Sequence, residues 1–224
     1  MDHAAVNIFT DLDRATQLLL RSPALQDHAA LHALAAAFNW WGGAGVIWFT
    51  AIVWLGSRAL RHRGLAEFGL RGAEALTIAS AISGIVKGLA GRSRPFLVPG
   101  EPWHWDFAHG WTDARFFSMP SGHTTAAFAV ASAMTVVAVR FRPRTRVALT
   151  AALFASALLV GFARMYFDQH WLSDTLAGAF LGGATGFAIA RLHATHRGSA
   201  FDRVMLGRPP DGAWQPGVTA DDGP

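Results

Sequence analysis

Three short stretches of this chain combine residue types that can hold and attack an oxyanion. They are Lys87-Gly-Leu-Ala-Gly-Arg-Ser-Arg94-Pro95, Pro120-Ser121-Gly122-His123, and Arg164-Met-Tyr-Phe-Asp-Gln-His170-Trp-Leu-Ser-Asp174. Lys87 is the one lysine among 19 basic residues. It lies a turn inside an apolar stretch, where an ionisable side chain reads as functional. Lys87 and Arg94 are seven apart, nearly two helical turns, so both project from about the same face. Pro95 discourages helix beyond Arg94. Taken by themselves, Arg92 and Arg94 read as snorkelling residues at an interface. Ser121 is a natural N-cap, and Gly122 lets a ligand approach the backbone. The first amides of a helix starting there point outward with the positive end of the dipole behind them, a ready anion site. Ser-Gly alone would be an ordinary capped start; His123 in the same turn adds a proton donor for a bound oxyanion. His170 and Asp174 are four apart and can meet on a helix. A carboxylate on one ring nitrogen fixes the tautomer and leaves the other nitrogen free to attack. Arg164 supplies a planar fork suited to bidentate phosphate binding.

Each stretch sits at one end of an apolar segment. The chain has 224 residues, 52% of them hydrophobic and 15% charged. Soluble proteins carry roughly 25% charge, so the composition points to a bilayer. The basic net charge of +4 does not read as a nucleic-acid surface, because the arginines cluster between apolar runs rather than on one face. The absence of cysteine excludes disulfides and thiolate metal sites. Five segments of spanning length are predicted at about 43–60, 73–91, 122–139, 146–163 and 174–192, each ~27 Å as a helix against a hydrocarbon core of ~30 Å. Arginines crowd the 58–71 and 140–146 connections and the C-terminal tail. By the positive-inside rule these are cytoplasmic, and five spans then place all three motifs on the outer face. The expected fold is all-α, a polytopic membrane bundle of about five spans.

The N-terminus lacks the basic start and apolar core of a cleaved signal peptide, leaving targeting to the first span. Residues 1–42 read as two short helices lying on the membrane, one with Leu12, Ala15, Leu18 and Leu19 along one side, the other opened by Ser22-Pro23. Residues 43–192 form the membrane domain, and 193–224 are expected to be a cytoplasmic, disordered tail. Gly178, Gly182 and Gly186 recur every four residues, a pattern that lets helices approach closely in lipid.

Together the stretches resemble the tripartite signature of the type-2 phosphatidic acid phosphatase superfamily, which includes vanadium haloperoxidases and glucose-6-phosphatase: Lys-x6-Arg-Pro, Pro-Ser-Gly-His, and Ser-Arg-x5-His-x3-Asp. Every position is met except one, where Ala163 stands in place of the serine. That change removes no expected catalytic group. The resemblance implies that His170 is the nucleophile forming a phosphohistidine, that Asp174 orients it, and that His123 protonates the leaving oxygen. Lys87, Arg94, Arg164 and the Ser121/Gly122 region would hold the phosphoryl oxygens. Three cations and helix amides could then do what Mg²⁺ does elsewhere, so no metal or other cofactor is expected. The implied function is a membrane phosphatase at the extracytoplasmic face of a plasma or inner membrane. It would act on undecaprenyl pyrophosphate, phosphatidylglycerol phosphate, phosphatidic acid or a lipid A phosphate. Alternatives are a lipid phosphotransferase on the same scaffold and a non-catalytic lipid-binding or transport protein. His104, Asp106, His109 and Asp113 in the 99–117 loop read as polar members of an interfacial loop rather than metal ligands. The loop's tryptophans, Trp105 and Trp111 among them, are expected to line the lipid entrance.

Overall fold

A computed structural model describes residues 3–195 and 200–207. The chain begins with α1 (His3–Leu20), α2 (Pro23–Gln26) and α3 (Ala29–Trp40). A π-helical turn, Trp41–Gly45, joins α3 without a break to α4 (Val46–Ala59). Then follow α5 (Arg63–Ala90), α6 (Gly122–Val137), α7 (Pro143–Tyr166), α8 (Leu172–Thr195) and α9 (Ala200–Leu206). There is no strand among the described residues; an isolated bridge links Arg92 to Trp105.

Among the described residues, five helices are long and apolar enough to cross a membrane: Ala29–Ala59, Arg63–Ala90, Gly122–Arg140, Pro143–Tyr166 and Leu172–Thr195. These are the five expected, with wider bounds. The third is the hub: 61% of its apolar window is buried inside the protein, against 22–28% for the others, which leave most of their surface for lipid. Small residues make this possible. Ala129 and Ala133 of α6 are fully buried, and a Cβ added at Gly182 or Gly186 of α8 would run into the backbone of Thr125, Ala129 or Ala133. The glycine repeat is thus the seam between α6 and α8. Helix ends follow local rules. Pro143 opens α7 in the first turn, and Gly91 closes α5 with φ 59°, a left-handed cap.

Two boundaries differ from the sequence reading. The expected border at residue 42 falls inside a continuous helix, because α3 runs into α4 through Trp41-Gly-Gly-Ala-Gly45 with an extra residue per turn and no interruption. Residues 29–42 are therefore helically continuous with the first candidate span. The expected disordered tail is also interrupted: α8 continues to Thr195, and α9 packs on α5 through a buried Arg71–Asp202 ion pair of 2.5 Å and a Trp54 indole bond to the Met205 carbonyl. Residues 196–199 and 208–224 lie outside the described residues.

α1 is folded with its polarity reversed. Asp13 and Gln17 are buried against the protein, while Ile8, Phe9, Leu12, Leu18 and Leu19 face outward, an arrangement suited to an apolar medium. Gln17 donates to the Pro95 carbonyl and accepts from the Gly100 amide, and the Arg21–Asp168 ion pair ties the far end.

Candidate active site

The residues singled out in the sequence come to one end of the bundle. Lys87 ends α5, Gly122 and His123 begin α6, Arg164 ends α7, and Asp174 lies in the first turn of α8. Arg94 and His170 sit on the connections just beyond. The Ser121 amide donates to the Asp174 carbonyl at 2.9 Å. Ser121 does stand at the N-cap, but its hydroxyl caps no amide; it accepts from Thr124 Oγ1 at 2.9 Å.

Lys87 lies over Gly122: a Cβ there would be 3.4 Å from Lys87 Cε. Its ammonium donates to the Phe117 carbonyl at 2.7 Å. Arg94 donates to the Ala114 carbonyl and to Gln169 Oε1, at 3.0 and 2.9 Å. Arg164 donates to Asn39 Oδ1 at 2.5 Å and reaches Gln169 Oε1 at 3.5 Å. Gln169 Oε1 thus rests between two guanidinium groups, where an anionic oxygen would also be favoured. The charges are close enough to act on one another: Lys87 feels both arginines, and His123 feels all three cations. Burial lowers the Arg94 guanidinium below its ordinary value, with Asp174 opposing.

His170 is 3% exposed. Its Nδ1 lies 3.7 Å from Asp174 Oδ2 and has no hydrogen-bond partner. Burial holds its imidazole down at about 3; Lys87 and Arg164 add to this and Asp174 opposes it. His170 is therefore neutral at ordinary pH, the form in which a ring nitrogen can attack. Asp174 is completely buried and well supplied with donors: Ser118 Oγ at 2.5 Å and the Trp171 amide at 2.8 Å to one oxygen, Arg92 at 2.5 Å to the other.

Beside Lys87 and His123 opens a cavity of about 350 Å³ whose other walls include Val46, Ile47, Leu76 and Ala126. The π turn shapes it. A Cβ at Gly43 would stand 2.9 Å from His123 Nε2, so glycine there makes room for the ring; π turns recur at functional sites. His170 is not on this wall. Neither is any residue of the 99–117 loop. Trp111 packs on Gly88, while Trp103 and Trp105 lie over the Arg92 guanidinium, each 5.4 Å from ring centroid to carbon. The loop's polar residues pair locally: His104 with Ser93, His109 with Asp106, and Arg115 with Asp113.

Sequence reasoning missed four partners. Arg92, read as a snorkelling residue, is fully buried between Asp13 and Asp174. Ser118, Asn39 and Gln169 have types common in any loop or helix, and spacing gives no sign that they converge.

Residues 69–197, more than half the chain, match the PAP2 superfamily. No curated protein matches the chain. A solved structure described as the first transmembrane PAP2 type phosphatidylglycerolphosphate phosphatase from Bacillus subtilis is similar in fold, with a TM-score of 0.64 over 88% of this chain and 89% of that one at 20% identity. The matched range holds all three motifs, three of the five spans whole and most of a fourth. The chain belongs to the PAP2 superfamily, as an integral membrane protein of a phosphatase family.

Proposed function

We propose that this protein hydrolyses a lipid phosphate or pyrophosphate through a phosphohistidine on His170. The observation that carries this reading is the convergence of a neutral histidine, a carboxylate, three cations and a second histidine at one end of the bundle, next to a largely apolar cavity. The apolar walls suit an acyl or prenyl chain entering from the bilayer. Lys87, Arg94, Arg164 and the amides at the start of α6 hold the phosphoryl oxygens, with Gln169 Oε1 giving way to one of them. Nδ1 of His170 faces Asp174, so Nε2 attacks phosphorus. The bond to the lipid oxygen breaks and His123 donates a proton to that oxygen. Water then attacks the phosphohistidine, gives its proton back to His123 and releases inorganic phosphate. Phosphoryl transfer needs mainly positioning and charge, and this site supplies both with cations, so the activity is metal-independent. The arginine-rich connections at the opposite end support a site on the extracytoplasmic face, with a membrane domain that runs from the first span, which begins at Ala29, to the end of α8, and with the C-terminus inside. The substrates considered are undecaprenyl pyrophosphate, phosphatidylglycerol phosphate, phosphatidic acid and lipid A phosphate; the fold relative named above bears on the second.

The test is phosphate release by purified protein in detergent with EDTA, across that lipid panel, with His170→Ala alongside. Release from at least one lipid, abolished in the variant, is expected. A wild-type rate in His170→Ala would remove the nucleophile, and activity regained only with added Mg²⁺ would remove metal independence.

A further inference from the structure

Arg92 is fully buried, and every side-chain nitrogen is used. Nε donates to the Pro102 carbonyl at 2.8 Å, Nη1 to Ser173 Oγ at 2.7 Å and Asp174 Oδ1 at 2.5 Å, and Nη2 to Asp13 Oδ2 at 2.8 Å. Trp103, Trp105 and Trp171 surround the guanidinium. Asp13 reaches it from α1, 79 residues away in sequence, and is itself 1% exposed. The same carboxylate accepts from the Ser173 amide at 2.8 Å and hydroxyl at 2.6 Å. It therefore caps the first turn of α8 from another helix, and Asp174 lies in that turn.

The charges do not cancel in pairs. Two carboxylates share one guanidinium, which leaves a net negative charge beside His170. With Arg92 facing Asp174 alone, the pair would be neutral. That matters when the His170 ring becomes cationic on bonding to phosphorus, because the stabilisation of that ring depends on the charge Asp174 has to spare. Lys87 and Arg94 also act on Asp174, so the negative excess has cations to resist on its other side.

We propose that Asp13 and Arg92 are positioning residues for the chemical step: Arg92 fixes Asp174 through one oxygen, and Asp13 balances Arg92 so that the charge of Asp174 stays available to His170. This rests on the reading of His170 as nucleophile and Asp174 as its partner. Neither residue touches the phosphoryl group.

The experiment uses the full-length protein in dodecyl maltoside with phosphatidic acid as substrate and inorganic phosphate as competing anion. Asp13→Asn keeps the size and the capping oxygen but removes the charge. Its kcat should fall ~10-fold, equivalent to about 1.4 kcal/mol, while KM and the phosphate Ki stay within about twofold. The double variant Asp13→Asn/Arg92→Gln restores the net charge and should recover several-fold of the lost kcat. Either a wild-type kcat in Asp13→Asn or a double variant no faster than the single overturns the proposal, since a merely structural role predicts no rescue. If Asp13→Asn does not fold, Arg92→Lys decides, because it keeps the charge and loses the fork: lowered kcat with unchanged phosphate Ki supports the proposal, and wild-type kcat refutes it. His170→Ala runs beside these. If it turns over like wild type, the nucleophile reading fails; if it is dead while the Asp13 variants match wild type, only the positioning proposal fails.

Discussion

The Ser121 amide and the Asp174 carbonyl are joined by a backbone hydrogen bond of 2.9 Å, so the second and third motifs share one rigid corner. The start of α6 and the first turn of α8 are locked before any side chain contributes. The close α6–α8 seam below this corner keeps it in place.

Widening that seam should misplace the site and weaken the fold together. Gly182→Leu puts a side chain against the Thr125 and Ala129 backbone, and overpacking of this kind costs about 1–3 kcal/mol. The Tm in detergent should drop by several degrees and phosphate release with it. Gly183→Leu, one residue along where an added Cβ meets nothing within 4 Å, should leave both near wild type.

Gly43→Ala tests the room made by the π turn. The new methyl group would crowd His123 Nε2 while the helix gains a better helix former. A lower kcat at an unchanged or higher Tm is expected. If the acid role of His123 is right, substrates with a good leaving group, such as p-nitrophenyl phosphate, should lose less rate than lipid phosphates.

Asn39→Ala removes the partner that aims Arg164. Hydrogen bonds to charged groups are worth about 1.5–3 kcal/mol, so KM and the phosphate Ki should rise ~10-fold or more, with a smaller change in kcat. Binding assays with inorganic phosphate read this directly.

Acid should destabilise the protein through His170. Its pKa is about 3 in the fold and ~6.5 unfolded. The unfolded chain therefore binds more protons between those values, and the stability gained from the neutral ring is full above ~6.5 and lost as pH falls toward 3. The Tm of wild type should fall more between pH 7.5 and 5 than that of His170→Asn. Equal falls would show that another group governs acid sensitivity. For the same reason, the acidic limb of kcat/KM above pH 5 should belong to a group other than His170.

Much of this was legible in the sequence because motif residues announce themselves by type and spacing. Lys87, Arg94, Ser121, Gly122, His123, Arg164, His170 and Asp174 all reach one end of the bundle, and the five spans follow from apolar length. What spacing cannot give is the far partner of a polar residue. Asp13 belongs to no motif; it is buried because α1 turns its polar side inward, toward Arg92. Arg92 itself was read by the rule for chain ends at an interface, which knows nothing of two carboxylates waiting elsewhere. The sequence reading starts the first span at Gly43, whereas a π turn over Trp41–Gly45 carries the helix through that point.

The separations around Arg92 also set an order of events during synthesis. Asp13 and Arg92 are 79 residues apart and Arg92 and Asp174 a further 82. The ribosome therefore delivers the first two long before the third. An arginine left alone in a buried site is costly, and Asp13 gives Arg92 a counter-ion while the last span is still being made. Asp174 is made last of the three, so the cluster can close only after the start of α8 has been synthesised.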